Sequence, residues 1–320
     1  MISIIVPCYN EEATLPLLYK KLNAIISSIG CPYEVICIDD GSADSTWNIL
    51  CEFHAINPNW LSLKFTRNFG HQNAIASGLY FSRGECAIIL DADLQDPPEI
   101  IIDFINKWQS GYDIVYAIRQ KRKESLPMKF LYFIFYRLLN LLSEITIPND
   151  SGDFCLVDRK VINFLNHSPE RNIFLRGLRA WSGYKQIGIE YERNARIAGH
   201  SHYSFVKLFK LAGDGIISFS TIPLRLATFL GLFVSCVSFL SLICLVFLKI
   251  LGFDFSPKGW TSLVTIQSTF GGLVLLCLGI IGEYVGRIYK EILQRPQWIV
   301  FSTNGIPLEN PFGKYRHDPP

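Results

Sequence analysis

The chain has 320 residues, of which 49% are hydrophobic, so it is long enough for one sizeable domain and a further segment. Its net charge of +2 does not indicate a nucleic-acid partner, and we expect none. Nine cysteines, an odd number without a Cys-x-x-Cys pair, argue against a disulfide framework and a zinc site and favour a reducing compartment. The first apolar run lacks a basic start and is cut short by Pro7, so we expect no signal peptide.

Residues 1–120 alternate short β-rich runs with amphipathic stretches. The runs predicted as strands are residues 2–6, 33–38, 61–65, 86–90 and 114–118. The stretches predicted as helices are residues 12–29, 45–56, 68–82 and 98–109. This alternation predicts an α/β fold with a doubly wound, mainly parallel sheet, in which right-handed crossovers bring the strand-end loops to one edge.

The fourth predicted strand ends in Asp91-Ala92-Asp93, with Gln95 shortly after. Two carboxylates at the carboxyl end of a buried strand lie where open α/β sheets bind ligands. Oxygen ligands favour Mg²⁺ or Mn²⁺, and such a metal usually bridges substrate phosphates. A solvated acidic loop is the alternative, since an isolated Asp-x-Asp arises by chance about once in a chain of this length.

The second half of the chain changes character. Residues 127–145 and 204–219 place apolar residues at helical spacing beside basic ones, which predicts amphipathic helices at a membrane surface or against the core. Two long, nearly uncharged stretches, residues 226–248 and 263–284, favour a transmembrane hairpin within residues 221–290. Basic residues flank the hairpin at both ends, so the positive-inside rule places residues 1–220 and the tail, residues 291–320, in the cytoplasm.

Several motifs together resemble a known family. They are Ile5-Val6-Pro7-Cys8-Tyr9-Asn10-Glu11-Glu12, Asp39-Asp40-Gly41-Ser42, Asn68-Phe69-Gly70, Asp91-Ala92-Asp93, Gly152-Asp153-Phe154, and Arg196 before Gly199-His200-Ser201-His202-Tyr203. The combination resembles glycosyltransferase family 2, which has the GT-A fold. With the hairpin, the chain to about residue 295 is similar to polyisoprenyl-phosphate glycosyltransferases of the bactoprenol glucosyltransferase type, which are related to dolichol-phosphate mannose synthases.

The resemblance implies inverting, metal-dependent transfer of one sugar from a nucleotide-sugar, UDP-glucose first, to a polyprenyl phosphate such as undecaprenyl phosphate, for cell-envelope glycosylation. It implies that Asp91, Asp93 and Gln95 hold Mg²⁺ or Mn²⁺. The implied nucleotide-sugar site comprises Pro7, Tyr9, Glu11, Ile38, Asp39, Asp40, Asp91, Ala92, Asp93 and Arg119. The implied phosphate and acceptor contacts are Arg119, Arg196 and His202, and the implied catalytic residues are Asp153, Asp93 and Arg196.

The acceptor chemistry narrows the role of Asp153. A phosphate with a second pKa near 6 is largely ionised at neutral pH, so transfer needs alignment and charge cancellation more than a general base. We therefore interpret Asp153 as a positioning or weakly basic residue, with a helix N-cap as the alternative. His202 stands where the family commonly has lysine, and we expect it to act as a cation with added pH sensitivity.

The resemblance also suggests partners and a location. It implies a multi-pass protein of the bacterial inner membrane with a cytoplasmic catalytic domain, a homo-oligomer (a tetramer by analogy), and a flippase and downstream glycosyltransferase as further partners. Three alternatives remain open at this stage: another donor, such as an aminoarabinose derivative, GlcNAc or GDP-mannose; another lipid acceptor; and a catalytically silent membrane scaffold.

Overall fold

The computed structural model describes residues 1–120, 151–168, 170, 174–192 and 260–307, with isolated positions between residues 224 and 251. The amphipathic segments expected at residues 127–145 and 204–219 lie outside the described residues, and so does most of the first expected membrane span. The described residues form two compact units: the sheet with its packed helices, and the apolar helical segment between residues 216 and 293.

Strands and helices alternate along the first part of the chain as the sequence predicts. In chain order they are β1 (Ile2–Cys8), α1 (Leu15–Ile29), β2 (Tyr33–Asp39), α2 (Thr46–Ile56), β3 (Trp60–Phe65), α3 (His71–Phe81), β4 (Cys86–Ile89), a 3₁₀ turn (Pro98–Ile100), α4 (Ile101–Gln109) and β5 (Ile114–Gln120). The later elements are β6 (Ser151–Asp158), α5 (Arg159–His167), α6 (Leu175–Trp181), β7 (Gln186–Glu192), α7 (Trp260–Ile292) and β8 (Val300–Asn304).

The eight strands form one sheet in the order β7-β5-β6-β4-β1-β2-β3-β8. Neighbours β4, β1, β2 and β3 run parallel, and β5 runs parallel to β7. Strands β6 and β8 pair antiparallel with their neighbours. The predicted α/β fold with a mainly parallel sheet is confirmed, and the carboxyl ends of the parallel strands lie along one edge.

Helices cover both faces of the sheet, which explains why its central strands are continuous apolar runs. Every residue of β1 and of β4 is buried. Along β1, Ile4 packs in the cluster that contains Leu18 of α1, whereas Ile5 packs in the cluster that contains Ile75 of α3. Burial of each such side chain contributes roughly 1.5–3 kcal/mol, so this core fixes the strand ends that carry the polar loops.

Strand β8 completes the sheet after α7. It pairs antiparallel with β3, and Trp298 just before it is fully buried with its ring centroid 6.1 Å from that of Tyr80. From the sequence, residues 291–320 were predicted as a tail whose role was left open. Part of that segment is an edge strand of the sheet, so the chain returns to the sheet unit after its apolar helix.

Helix α7 contains a segment long and apolar enough to cross a bilayer. The segment Phe270–Ile292 has 23 residues and a mean hydropathy of 1.6, and none of it is buried within the fold. At 1.5 Å per residue it is about 35 Å long, enough for a hydrocarbon core of about 30 Å. It is the one such helix among the described residues. The positions described in the first expected span, such as Phe229 and Leu240, are helical, and the hairpin itself stays a prediction.

Candidate active site

The loops that follow β1 and β2 are joined by reciprocal hydrogen bonds at the carboxyl edge of the sheet. The N–H of Asn10 donates to the hydroxyl of Ser42 at 2.9 Å, and the side-chain oxygen of Asn10 accepts from the N–H of Ala43 at 2.9 Å. The N–H of Glu11 donates to Thr46 Oγ1 at the start of α2. These contacts hold the two predicted nucleotide-binding loops side by side, and Tyr9, next to Asn10, is 49% exposed.

Asp39 is the last residue of β2 and Asp40 follows it, and both side chains are buried. Asp39 Oδ1 accepts from the N–H of Ser42 at 2.8 Å, and Asp39 Oδ2 lies 3.6 Å from Lys64 Nζ.

Gly41, in the loop that follows β2, has φ +71°, and a Cβ there would lie 2.5 Å from the backbone carbon of Arg67 in the loop that follows β3. Only glycine allows this close approach of the second and third strand-end loops.

The Asp91-Ala92-Asp93 segment follows β4 and turns sharply. Leu94 adopts a left-handed φ of +56° although its side chain is buried, an arrangement that costs about 1–2 kcal/mol for an L residue. Asp93 Oδ1 accepts a hydrogen bond from the N–H of Gln95 at 3.1 Å. The buried carboxylate of Asp96 accepts a short hydrogen bond from the hydroxyl of Tyr191, which ties the turn to β7. Asp96 therefore stabilises the turn, and the sequence carried no signal that Tyr191 would reach it.

Asp153 lies on β6, and two of the side chains that hold it, Arg176 and Gln72, were not singled out from the sequence. Arg176 Nε donates to Asp153 Oδ1 at 2.8 Å and Arg176 Nη2 donates to Oδ2 at 3.1 Å, a side-on bidentate pair. Gln72 Nε2 donates to the same Oδ2 at 3.1 Å. The alternative interpretation of Asp153 as a helix N-cap is wrong, because Asp153 lies inside β6 and the next helix, α5, begins only at Arg159.

His71, the first residue of α3, connects Asp153 to the Asp91 turn. Its Nε2 atom lies 3.5 Å from Asp91 Oδ1 and 3.6 Å from Asp153 Oδ2, so the two carboxylates lie on either side of one imidazole. Burial opposes the charged form, but the hydrogen bond to Asp153 and the charges of both carboxylates outweigh it and raise the pKa of His71 to about 9.

The two carboxyl groups have pKa values shifted in opposite directions. Burial would raise the pKa of Asp153, but the charge of Arg176 and the hydrogen bonds from His71 and Arg176 hold it well below its usual value. Burial raises the pKa of Asp91 above its usual value. The charge of His71 opposes that rise, whereas the neighbouring carboxylates, Asp96, Asp153 and Asp93, add to it. Asp91 thus lies in an excess of negative charge that a cation would relieve.

The residues of the Asp91 turn fit a divalent metal shared with a substrate. Asp91 Oδ1 is buried and accepts no hydrogen bond within the described part of the chain, so it keeps a lone pair for a ligand. Among the described residues, no group of three or more His, Cys, Asp or Glu side chains is arranged to hold a metal alone. Mg²⁺ and Mn²⁺ commonly use one or two carboxylates and complete their coordination with substrate phosphates and water.

The other predicted site residues lie partly within and partly outside the described residues. Pro7 and Ile38 are buried near the ends of β1 and β2, and Ala92 is buried in the turn. Arg119 lies on β5 opposite Tyr191 of β7, and its side chain is outside what the structure describes. Arg196 and His202 lie outside the described residues. The described members of the predicted site thus converge on one edge of the sheet.

Comparison with known proteins identifies the family. The model of the family described as glycosyl transferase family 2 matches residues 3–165. A glycosyltransferase of Bacillus subtilis named YkcC, whose function is uncharacterised, is 45% identical over 95% of this chain and 94% of its own length. The chain therefore belongs to glycosyltransferase family 2, and it is a glycosyltransferase.

Two further relatives have names that state an activity. The bactoprenol glucosyl transferase of Shigella phage SfII is 40% identical over 93% of this chain and 97% of its own length. A prophage bactoprenol glucosyl transferase homologue of Escherichia coli K12 is 38% identical over 93% of this chain and 98% of its own length. Among solved structures, glucosyl-3-phosphoglycerate synthase of Mycobacterium tuberculosis is 19% identical, with a TM-score of 0.46 over 68% of this chain and 79% of that one. That likeness is too distant to add to the family assignment.

Proposed function

We propose that the protein transfers one sugar, glucose first, from a nucleotide-sugar to a polyprenyl phosphate, with inversion at the anomeric carbon and with Mg²⁺ or Mn²⁺. The observation that carries the proposal is the pair Asp91 and Asp93 at the carboxyl edge of the sheet, with His71 between Asp91 and Asp153. The relatives named bactoprenol glucosyl transferase, which match this chain over more than nine tenths of its length, support glucose as the sugar and a polyprenyl carrier as the acceptor.

The joined loops of β1 and β2 would hold the nucleotide. Tyr9 exposes about half of its surface there, and its ring suits contact with a base. The backbone at Pro7 and Ile38 and the carboxylate of Asp39 lie nearby at the strand ends. Asp40 supports this site indirectly, because both of its oxygens accept hydrogen bonds from the loop before α3.

The negative charge of the substrates and of Asp91 and Asp93 explains why the reaction would need a metal and basic residues. The donor diphosphate carries about two negative charges and the acceptor phosphate about 1.5 to 2, and Asp91 and Asp93 add two more. Asp91 and Asp93 would hold the cation, with the Gln95 amide beside them, and the bound cation would neutralise charge on the diphosphate as it leaves. Arginines suit the remaining phosphate charge because they bind it in a bidentate way, and Arg119 and Arg196 are the predicted contacts.

The acceptor needs no strong base in this reaction. Its phosphate oxygen, already ionised, attacks the anomeric carbon from the face opposite the diphosphate. The bond between that carbon and the diphosphate oxygen breaks, and the nucleoside diphosphate departs with the bonding electrons. The low pKa of Asp153 and the donors on both of its oxygens favour a positioning role over that of a base.

A membrane location suits the lipid acceptor. Helix α7 supplies one span by length and composition, and Arg287, Lys290 and Arg295 near its end favour a cytoplasmic side for the following β8. The cytoplasmic catalytic domain, a second span and insertion in a bacterial inner membrane belong to the same proposal. The homo-oligomer, flippase and downstream glycosyltransferase rest on the resemblance alone.

A donor panel tests the proposal. Membranes that contain the protein are incubated with Mg²⁺, undecaprenyl phosphate and one radiolabelled nucleotide-sugar at a time, and lipid-soluble label is measured. We expect label from UDP-glucose in an acid-labile lipid, and label from another donor would correct the sugar but keep the reaction. If no donor labels lipid, while membranes that contain a bactoprenol glucosyl transferase do so under the same conditions, the proposed function is wrong.

A further inference from the structure

We propose that Arg176 binds the phosphate of the lipid acceptor and that Asp153 is its anchor. This inference rests on the proposed function and deepens it, because it assigns the acceptor's phosphomonoester a contact that the motifs do not indicate. Arg176 lies in the first turn of α6, beyond the segment that the family model matches. In this scheme Asp153 is a positioning residue, and Arg176 touches the substrate.

The geometry of the pair orients the guanidinium. Its Nε and Nη2 atoms face the two oxygens of Asp153, at 2.8 and 3.1 Å, so the edge that carries Nη1 is directed away from the carboxylate. The Asp153 side chain is only 8% exposed, whereas that of Arg176 is 27% exposed. Within the pair, the cation is therefore the more exposed member and the carboxylate the more buried one. A fork held in this way is suited to a phosphate dianion.

The location of the pair matches the position that the acceptor must take. His71 Nε2 lies within 3.6 Å of both Asp91 and Asp153, so Arg176 is separated from the proposed diphosphate side of the site by one imidazole and one carboxylate. Transfer requires the attacking oxygen and the anomeric carbon to approach to about 3–3.5 Å. A phosphate bound at Arg176 would thus adjoin the Asp91 turn, where the donor's diphosphate is proposed to bind.

A second link fixes α6 before any ligand binds. Gln72 donates to Asp153 Oδ2 and, through its Oε1, accepts from the N–H of Leu175 at 3.2 Å. The amide of Gln72 thus joins the carboxylate to the first residue of the helix that carries Arg176. This preorganisation lowers the entropic cost of placing a long side chain on a phosphate.

The same contacts explain why Asp153 does not repel an anionic acceptor. A buried carboxylate without a partner would oppose a phosphate dianion, but here the charge of Arg176 offsets that of Asp153 at hydrogen-bonding distance. Loss of either member should therefore weaken acceptor binding: loss of Arg176 removes the contact, and loss of Asp153 removes its orientation.

The test compares Arg176→Gln, Arg176→Lys and Asp153→Asn with a matched control. In the control, Arg83→Gln, another arginine that binds a buried carboxylate loses its charge: Arg83 Nε donates to Glu34 Oε2 at 2.9 Å, and Glu34 is 2% exposed. Initial rates are measured in membranes with UDP-glucose at saturation and polyprenyl phosphate varied, and then with the two substrates exchanged.

We expect Arg176→Gln to raise the KM for polyprenyl phosphate at least tenfold, the size of effect typical of a lost hydrogen bond to a charged group, while the KM for the donor changes less than about twofold. Arg176→Lys should fall between Arg176→Gln and the wild type, because it keeps the charge but loses the fork. Asp153→Asn should raise the acceptor KM, and combining it with Arg176→Gln should add little. Arg83→Gln should leave both KM values unchanged.

An acceptor KM within twofold of wild type in Arg176→Gln, or equal increases in both KM values, would overturn the inference. If Arg176→Gln does not fold, Arg176→Lys supplies the same comparison. If the wild type transfers no sugar to lipid, the proposed function fails separately. Binding of a short-chain polyprenyl phosphate, followed by tryptophan fluorescence, then decides the role of Arg176: weaker binding by the variant supports it, and equal binding contradicts it.

Discussion

Asp40 Oδ2 accepts a hydrogen bond from the backbone N–H of Gly70 at 2.9 Å, and Asp40 Oδ1 accepts one from the preceding N–H, that of Phe69, at 2.7 Å. The pair fastens the end of β2 to the loop that starts α3. That helix begins with His71 and Gln72, which contact Asp153. Asp40 thus also supports the candidate site through this loop, and the nucleotide contact that the resemblance implies for it stays a prediction.

The first prediction concerns Asp40→Asn. An amide offers one acceptor oxygen where the carboxylate offers two, so one of the two backbone N–H groups loses its partner. We expect the free energy of unfolding to fall by about 1.5–3 kcal/mol, the range for a hydrogen bond to a charged group. Thermal unfolding in detergent, followed by tryptophan fluorescence, measures it. Asp103→Asn, an exposed aspartate on α4, is the control and should behave like the wild type.

The second prediction concerns pH and Asp153. Its pKa is lower in the folded state than in the unfolded state, where it is about 3.9, so the ionised group stabilises the fold above that value and the contribution is lost as pH falls through the lower folded pKa. The Tm of the wild type should exceed that of Asp153→Asn by a constant amount between about pH 5 and 8. The difference should shrink below about pH 4. A difference that grows on acidification would contradict the assigned ion pair with Arg176.

The third prediction tests the return of the chain to the sheet after α7. Trp298 is fully buried, whereas Phe301 on the adjoining strand β8 is 72% exposed. Trp298→Ala should lower the free energy of unfolding by about 3–5 kcal/mol because it leaves a cavity in the core. Phe301→Ala should change it by less than about 0.5 kcal/mol. Equal effects of the two substitutions would mean that β8 is not part of the folded sheet.

Sequence reasoning located the elements whose signals are local. The strand preceding Asp91 could be predicted because an apolar run of strand length ends in polar residues. The same pattern predicts the strands that end near Tyr9 and Asp39. Parallel strands then place these ends at one edge, so the convergence of Asp39, Asp91 and Asp93 followed from fold class alone. Two predictions from local sequence signals differ from the structure. Asp153 was considered as a helix N-cap but lies on a strand, and the segment that contains β8 was predicted as a tail but includes a strand of the sheet.

Contacts between distant parts of the chain had no such signal. Gln72 and Arg176 reach Asp153 across 81 and 23 positions of sequence, and no pattern in either segment indicates the pairing. Pairing of β8 with β3 likewise spans the whole apolar helix. These contacts depend on how the helices pack on the sheet, which a periodicity does not specify. They also decide the chemistry of Asp153, so its role could be narrowed only with the structure.

The central claim is that Asp91 and Asp93 hold a divalent cation on the leaving group of a nucleotide-sugar during transfer to a lipid phosphate. The most direct measurement is the transfer of labelled sugar from the active nucleotide-sugar to undecaprenyl phosphate, by the wild type, Asp91→Asn and Asp103→Asn, each with Mg²⁺ and with EDTA. We expect EDTA to abolish transfer by the wild type and Mg²⁺ to restore it. Asp103→Asn should match the wild type, and Asp91→Asn should lose at least about a hundredfold in kcat/KM, or about 2.7 kcal/mol of transition-state stabilisation. Full activity of Asp91→Asn in Mg²⁺, or transfer by the wild type that EDTA does not affect, would contradict the account.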